Sequence, residues 1–569
     1  MLRAIYFSLI LICILPTIPG LAGVVVAAFG YIPPIGLESF SLNGFESVFA
    51  WQGIGQSVGL TLFSTLASSY LACLATFAIL LSSWHHPFWR KIELTLSPLL
   101  AMPHVAFAIG FAFLFSPTGL VARSSYHLFG YDPNAQSVSD LAFVIKDPYA
   151  IGLVLMLAIK EIPFLLLMSI PILQQLKVSQ TEKVTLSLGY SRAQTWWKCI
   201  FPQWFAKLRF PMLAVITYSL SVVDVALIIG PTNPPTFAVL IWQWFNEPDL
   251  AQLPRAASGA TLLFLIGSVL ILFARILEWV ITKGLKHWQY SGRSGMDLPG
   301  KSTFSIVLVL SLAIVPILVL WSFAQRWRFP DLLPTQFSLR FWQYEWAGIF
   351  SALNQSLLIA LVSASIALLL ALTAHEYHQR HHRQIPGYVI AIPMLIPQLS
   401  ILFGIQVVTL YLNSSAYLFW VCWAHVFFAF PYVYLSLDGP WRSFDNGLTR
   451  VGLSLGKSPI QVWWQIKLPI LLPAVLFAWA IGISVSLAQY LPTLVLGAGR
   501  ISTITTEAVA LSSGFDRRVT AIYALWQALL PLIFFSIAMV LSRLQVKYRR
   551  LSIKGLLPNE PLSQKTRHL

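Results

Sequence analysis

Charge is scarce in this chain. Only 10% of its 569 residues are Asp, Glu, Lys or Arg, where a soluble domain carries about 25%. With 57% hydrophobic residues, that scarcity excludes an ordinary globular protein and points to the membrane class. Acidic residues are the scarcer sign, 21 against 37 Lys and Arg, which gives a formal net charge of +16. A nucleic-acid binder gathers such an excess on one polar face. Here the basic residues lie between long apolar runs, so no nucleic-acid partner is expected. Cysteines number four. Cys13, Cys73 and Cys422 sit in apolar stretches and Cys199 in a basic loop, a pattern that excludes a disulfide framework and a zinc site. Paired carboxylates and nucleophile–histidine arrangements are also missing. The sequence therefore predicts no catalytic residue, no metal, no cofactor and no enzyme.

What the chain has is long apolar runs. A helix rises about 1.5 Å per residue, so crossing a hydrocarbon core of about 30 Å takes about 20 apolar residues. Twelve segments qualify: 5–29, 54–82, 92–116, 149–173, 211–230, 257–281, 303–324, 349–374, 387–412, 416–437, 470–492 and 520–542. They are numbered 1 to 12 below. The first is read as a retained span, because its apolar run after Arg3 is too long for a signal peptide and lacks a small-x-small cleavage site. With the N-terminus inside, the inner segments hold 27 Lys and Arg and the outer loops 9. This positive-inside bias predicts cytoplasmic termini at both ends.

The chain also repeats itself. Leu186-Ser187-Leu188-Gly189-Tyr190-Ser191-Arg192-Ala193-Gln194-Thr195-Trp196-Trp197 matches the stretch from Leu453 to Trp464 at eight of twelve positions, at an offset of 267. The offset persists to Pro202 and Pro469 and to Gly230 and Gly497. Upstream, Pro103 and Gly110 answer Pro397 and Gly404 at an offset of 294. The difference is an insertion in the outer loop around 117–148, where length is tolerated. Two sets of six segments in one orientation are a parallel repeat. The expected organisation is 1–283 and 303–545 as homologous units, 284–302 as a cytoplasmic linker and 546–569 as a cytoplasmic tail.

Each copy of the repeated stretch lies between the fourth and fifth segments of its set. It reads as two short helices with a bend at Gly189 or Gly456, since glycine reaches positive φ without strain. Ser191 with Gln194, and Ser458 with Gln461, form S-x-x-Q capping boxes. Pro459 suits the first helical position. Pro202 and Pro469, lacking an N–H, are expected to mark a break before the next segment. One reading of the stretch is an interfacial helix anchored by Trp196, Trp197, Trp463 and Trp464. The other is a docking loop. The motif resembles the EAA loop of ABC-transporter importer permeases, E-A-A-x3-G-x9-I-x-L-P. Gly189 to Pro202 and Gly456 to Pro469 share the family spacing, and Ile466, Leu468 and Pro469 fit its end. The family's glutamate falls at Lys183 and Arg450, with Glu182 one residue early. Its Ala-Ala pair falls at Val184-Thr185 and Val451-Gly452.

The resemblance covers nearly the whole chain and points to the ferric-iron, thiamine and YnjC-like permeases, with two permease units fused. It implies an all-α polytopic membrane protein with about 12 transmembrane helices, arranged as two parallel six-helix type I permease repeats. It implies a multi-pass permease of the bacterial inner (plasma) membrane. Expected partners are the lipid bilayer, two copies of a separate ABC ATPase subunit and a periplasmic or extracellular substrate-binding protein. Glu182, Gly189, Ser191, Pro202, Gly456, Ser458 and Pro469 would belong to the ATPase-coupling loops.

Two further motifs invite other readings. Gly295 to Ser302 matches the phosphate-loop pattern G-x4-G-K-S, which works only between a strand and a helix. Here it lies in a short linker with no room for a nucleotide-binding domain. His375, His378, His381 and His382, interleaved with Arg380 and Arg383, are read as a solvated basic loop, not a metal site. Charges inside segments are more informative, since each costs about 2.5–3.5 kcal/mol at a bilayer centre. Lys160 and Glu161 in segment 4 point about 100° apart, so each is expected to find a partner on another segment. With Asp224, and with Gln489 and Tyr490 near its counterpart, they either tie helices together or line a translocation path. An ion-gradient-driven secondary transporter is the competing function. Paired Gly-x12-Pro loops and nearly charge-free segments favour the ATP-driven importer.

Overall fold

In hydrocarbon a backbone N–H or C=O finds no water, so a crossing segment must satisfy its own hydrogen bonds, and a helix does so. The computed structural model describes residues 2–14, 17–130, 144–381, 387–412, 415–514 and 516–556. Among these, nine helices are long and apolar enough to cross a membrane, and they coincide with nine of the twelve apolar segments. Segments 1, 5 and 9 are each divided between shorter helices: Leu2–Ile14 and Thr17–Ala28, Arg209–Ser221 and Asp224–Ile229, Gly387–Leu395 and Gln398–Leu412. The β-structure among the described residues is a two-stranded ribbon, Ala324–Arg326 with Gln336–Phe337, and two isolated bridges, Ile32 with Leu37 and Thr232 with Pro235.

The two sets of segments exchange their first members. Thr17–Ala28 of segment 1 packs on Gln398–Leu412 of segment 9. The backbones nearly touch: a Cβ on Gly404 would lie 1.6 Å from the Gly20 carbonyl oxygen. Reciprocally, Gly300–Phe323 of segment 7 packs on segments 2 and 3, where a Cβ on Gly110 would meet Ile314 at 2.5 Å. Gly110 and Gly404 are the repeat-related pair, and both admit the other set's first segment. Small residues allow this close approach in helices that lack a hydrophobic driving force between them. Segment 2 uses the same device, with Ser57, Thr61, Ser64, Thr65, Ser68 and Ser69 on its buried side.

Several boundaries differ from expectation. The helix of segment 8 continues to His381, so His375, His378 and His381 stand on a helix and not in a loop. His375 is buried, stacks on Tyr434 with ring centroids 4.2 Å apart and donates from Nε2 to the Tyr434 carbonyl at 3.0 Å. His382 lies outside the described residues. The last helix runs Arg517–Leu556, past the expected tail boundary. In the phosphate-loop look-alike, the glycines serve close packing. A Cβ on Gly295 would meet the Gln194 backbone at 2.6 Å, and one on Gly300 would lie 1.9 Å from the Ala78 oxygen.

Candidate functional site

The two repeated loops share their backbone geometry feature by feature. In the first, helix Val178–Ser187 ends where the Gly189 N–H donates to the Leu186 carbonyl and the Tyr190 N–H to the Thr185 carbonyl, both at 3.0 Å. In the second, helix Asn446–Ser454 ends with Gly456 donating to Leu453 at 3.0 Å and Lys457 to Gly452 at 3.3 Å. This paired 5→2 and 6→1 bonding is a Schellman motif, which requires a left-handed residue at the turn. Gly189 has φ 81° and Gly456 φ 76°. Ser191 and Ser458 then cap the next helix. Each hydroxyl accepts from the N–H of Gln194 or Gln461 at 3.3 Å, and each glutamine oxygen accepts from the serine N–H at 2.9 Å.

Pro202 and Pro469 do not break the chain. In both loops a π-turn, Trp196–Ile200 and Trp463–Lys467, leads into the following helix, and proline is its second residue. The wide turn has Phe201 N–H bonding Trp196 and Leu468 N–H bonding Trp463, five residues back. It loosens the ladder where proline contributes no donor and its ring would crowd the preceding turn. Contact between the two short helices is also covariant. Thr195 donates to Thr185 through their hydroxyls at 2.7 Å. The equivalent positions are Val462 and Gly452, where a Cβ on the glycine would meet Val462 at 2.9 Å.

The tethers differ. Glu182 turns inward, accepting from Trp196 Nε1 at 2.7 Å, with His85 and Arg192 at 3.8 and 3.9 Å. Trp196 is fully buried, so it is core and not an interfacial anchor. The second loop is held by Lys467, buried, with its ammonium 2.5 Å from Glu376 and over Trp441. The first loop is also clasped by the linker. Arg293 donates to the carbonyls of Leu188 and Gly189 at 3.2 and 3.3 Å and lies over Tyr190. Gln194 and Trp197 donate back to the carbonyls of Arg293 and Met296 at 2.6 and 2.9 Å. Lys198 reaches the carbonyls of Trp288 and Ser291. Among the described residues, apart from its two chain neighbours, no atom comes within 4 Å of where a Gly456 Cβ would stand. Leu455, Ile460 and Trp464 are exposed around it. Sequence reasoning did not find Arg293 or the Lys467–Glu376 pair. Arg293 and Glu376 lie outside the repeated motif, and Lys467 stands at a position where its pattern leaves the residue open.

A second cluster lies where the two sets of segments meet. Segment 3 is interrupted at Met102-Pro103, between helices Trp89–Ala101 and His104–Phe115. Pro103 has no N–H to give the carbonyl four residues back, that of Leu99. Lys160 supplies the missing donor, at 2.8 Å. Glu161 instead meets His104 Nε2 at 3.2 Å, just past the interruption. Each charge thus finds its partner on segment 3, on opposite sides of one proline.

His104 faces on, its ring 4.8 Å from that of Tyr218, and lies within electrostatic reach of Asp224. Asp224 is partly exposed and accepts from its neighbour's N–H, that of Val225, at 2.9 Å. It begins the short helix after a break at Val222-Val223. The same break recurs 267 residues on, at Gln489-Tyr490. Tyr490 and Tyr432, from the second set, are near Asp224 and Glu161 respectively. Gln489 is buried and donates to the His425 carbonyl at 3.3 Å. The His425 ring bridges the second break, bonding Ser486 before it at 2.7 Å and Thr493 after it at 2.9 Å. His104, Tyr218, Tyr432 and His425 escaped the sequence reading. Only the proline beside His104 signalled a site.

Comparison with known proteins agrees with this architecture. The chain is 33% identical over 526 residues to the inner membrane ABC transporter permease protein YnjC of Escherichia coli (strain K12), covering 92% of this chain and 94% of that protein. It is 24% identical over 367 residues to the Fe(3+)-transport system permease protein FbpB 2 of Haemophilus influenzae, covering 60% and 67%. It is 26% identical over 165 residues to the putrescine transport system permease protein PotI of Escherichia coli (strain K12), covering 26% and 58%. No family model matches the chain.

Proposed function

The chain belongs to the family of inner membrane ABC transporter permeases, and on that premise we propose that it forms the translocation path of a binding-protein-dependent importer and couples it to a separate ATPase through its two repeated loops. The observation that carries this reading is the duplication of one docking geometry: Schellman turn, capping box and π-turn, each at an offset of 267 residues. A gradient-driven carrier has no use for two such rigid, exposed bends. The permease units are 1–283 and 303–545, joined by the 284–302 linker. The loops dock two ATPase subunits on the cytoplasmic side, where both termini also lie, and the opposite end receives the substrate-binding protein. The path follows the seam where His104, Glu161, Tyr218 and Asp224 face Tyr432, Gln489 and Tyr490. Lys160 holds the kinked wall of that seam in shape.

The test is direct. Affinity-tagged chain, co-expressed with the ABC ATPase of its own operon, should retain that ATPase through purification. Reporter fusions after residues 200 and 467 should read as cytoplasmic. Periplasmic activity at both would invert the orientation, and a chain that never retains the ATPase would return the gradient-driven reading.

A further inference from the structure

At the end of the bundle opposite the repeated loops is a cavity of about 420 Å³ with an unusual charge balance. It is lined by the joints after segments 3 and 7 and before segment 12, and five arginines contribute: Arg123, Arg326, Arg328, Arg517 and Arg518. Two carboxylates are near. Asp516 is taken by Arg518, at 2.9 and 3.2 Å. Burial raises the Asp516 carboxyl pKa, but hydrogen bonds and charge from Arg518 outweigh it and hold the group below its ordinary value. Asp331 lies within electrostatic reach of Arg123 but forms no ion pair among the described residues.

Arg123 is fully buried, with only 2% of its surface exposed. Its Nε donates to the Thr118 carbonyl at 2.9 Å and its Nη1 to the carbonyls of Arg328 and Asp331 at 2.7 and 2.5 Å. Its Nη2 has no hydrogen bond among the described residues. Arg517 stands over the Trp321 ring at 5.3 Å and has neither hydrogen bond nor ion pair among them. Arg326 and Arg328 are exposed and form no side-chain ion pair there either.

Burying guanidinium groups side by side without anions is unfavourable. Their planar forks suit phosphate oxygens. The surroundings indicate where the phosphate comes from. Trp321, Trp327 and Phe329 line the cavity, and aromatic rings of this kind gather at headgroup level. Below them the helix Gly300–Phe323 exposes Ile306, Val309, Leu312 and Val319, a row at helical spacing that faces outward. From Leu312 to Trp321 is nine residues, about 14 Å of helix, close to half the hydrocarbon core. The arginines therefore lie at the depth where a lipid carries its phosphate.

We propose that this cavity binds the phosphate headgroup of an anionic phospholipid, which clasps the exchanged segment 7 to the joints beside segments 3 and 12. The inference does not depend on what the permease carries. Each arginine near an anionic headgroup contributes about a fivefold change in affinity.

Full-length protein in detergent, titrated with phosphatidylglycerol or phosphatidylcholine and observed by native mass spectrometry, should retain phosphatidylglycerol selectively. Arg517→Gln should weaken that retention about fivefold, as should the exposed-site variant Arg328→Gln, which touches no packing. Arg500→Gln, at the same end but outside the cavity, should change nothing. Inorganic phosphate that fails to compete identifies the lipid as the source. Inorganic phosphate that displaces phosphatidylglycerol shows that the arginines read phosphate alone. Equal retention of the two lipids, or undiminished retention in both cavity variants, overturns the proposal. So does loss of substrate-binding-protein association in those variants with lipid retention intact, which would make the arginines a protein-docking surface.

Discussion

Replacing Gly456 with valine isolates the contribution of one backbone angle. The residue sits at φ 76°, and a Cβ there would meet none of the described residues beyond its chain neighbours within 4 Å. The cost is therefore conformational and not steric. An L-residue in the left-handed region loses about 1–2 kcal/mol, and a β-branched one is a genuine outlier there. That corresponds to about a five- to thirtyfold shift in the local equilibrium. The strain is relieved if φ turns negative, but the two turn bonds at Gly456 and Lys457 then break. The helix carrying Ile460 and Trp464 would leave its angle. The many apolar helices of the chain, nine of them long enough to cross a membrane among the described residues, outweigh such a cost, so Gly456→Val should reach the membrane at normal levels. Its retention of ATPase during purification should fall about tenfold, and ATP-driven uptake in proteoliposomes should fall with it. Gly456→Asn is the control, because asparagine tolerates this region, and it should stay within about twofold of the parent. The reasoning fails if valine docks the ATPase normally, or if asparagine does as badly as valine. At Gly189 the same change carries a second penalty, since a Cβ would stand 3.4 Å from Arg293 Nη1 and the valine methyls would displace that clasp.

Three other outcomes are expected. Arg293→Ala removes the linker's bonds to Leu188 and Gly189, so hydrogen exchange should quicken across 184–198 while 451–465 stays unchanged; equal change in both loops would refute the asymmetry. Lys160→Met leaves the Leu99 carbonyl without its donor and should destabilise the protein by about 1–3 kcal/mol, read as a lower melting temperature, whereas an unchanged melt would remove Lys160 from its bracing role. Cysteine at Asp224 should be labelled by a membrane-impermeant thiol reagent when the path is open, and reaction with lipid-soluble reagents alone would place the residue toward lipid.

The features readable in the sequence were those written in local chemistry. The positive φ at Gly189 and Gly456 and both capping boxes follow from what glycine and serine do to their own backbone. The interruptions at Pro103 and Pro397 have an equally local cause, yet segments 3 and 9 read as continuous runs. Pro202 and Pro469 misled because the same local rule has two solutions, a break or a wider turn, and the π-turn is the one adopted. Segments 5 and 11 read as continuous runs, yet both are broken, at Val222-Val223 and at Gln489-Tyr490 just before Pro492. Pro492 has no N–H for the Ala488 carbonyl, whereas Val222-Val223 contains no residue that breaks a helix by itself. The partners of buried charges were not legible either. That Lys160 would cap the carbonyl freed by Pro103 requires knowing that segments 3 and 4 lie side by side at that height. The exchange of segments 1 and 7 left only a trace, the paired glycines 110 and 404.

The two breaks have the same position in the repeat but different chemistry, and this bears on how the seam works. Around the second, His425 bonds hydroxyls on both sides of the interruption, so a neutral side chain pins the two pieces to segment 10. Around the first, the described residues provide no such pin. Among the described residues Asp224 bonds its own neighbour's N–H, and the ionisable groups opposite, His104 and Glu161, belong to segments 3 and 4. A helix end held by a directional pair of hydrogen bonds is stiff. One facing a charge across a gap responds to whatever enters the gap, because a cation or a water chain there changes the field on the carboxylate directly. Two fused units can diverge in this way, whereas two copies of one chain cannot. On the proposed reading of the seam as the path, the first broken segment is its responsive wall and the second the fixed wall against which it moves.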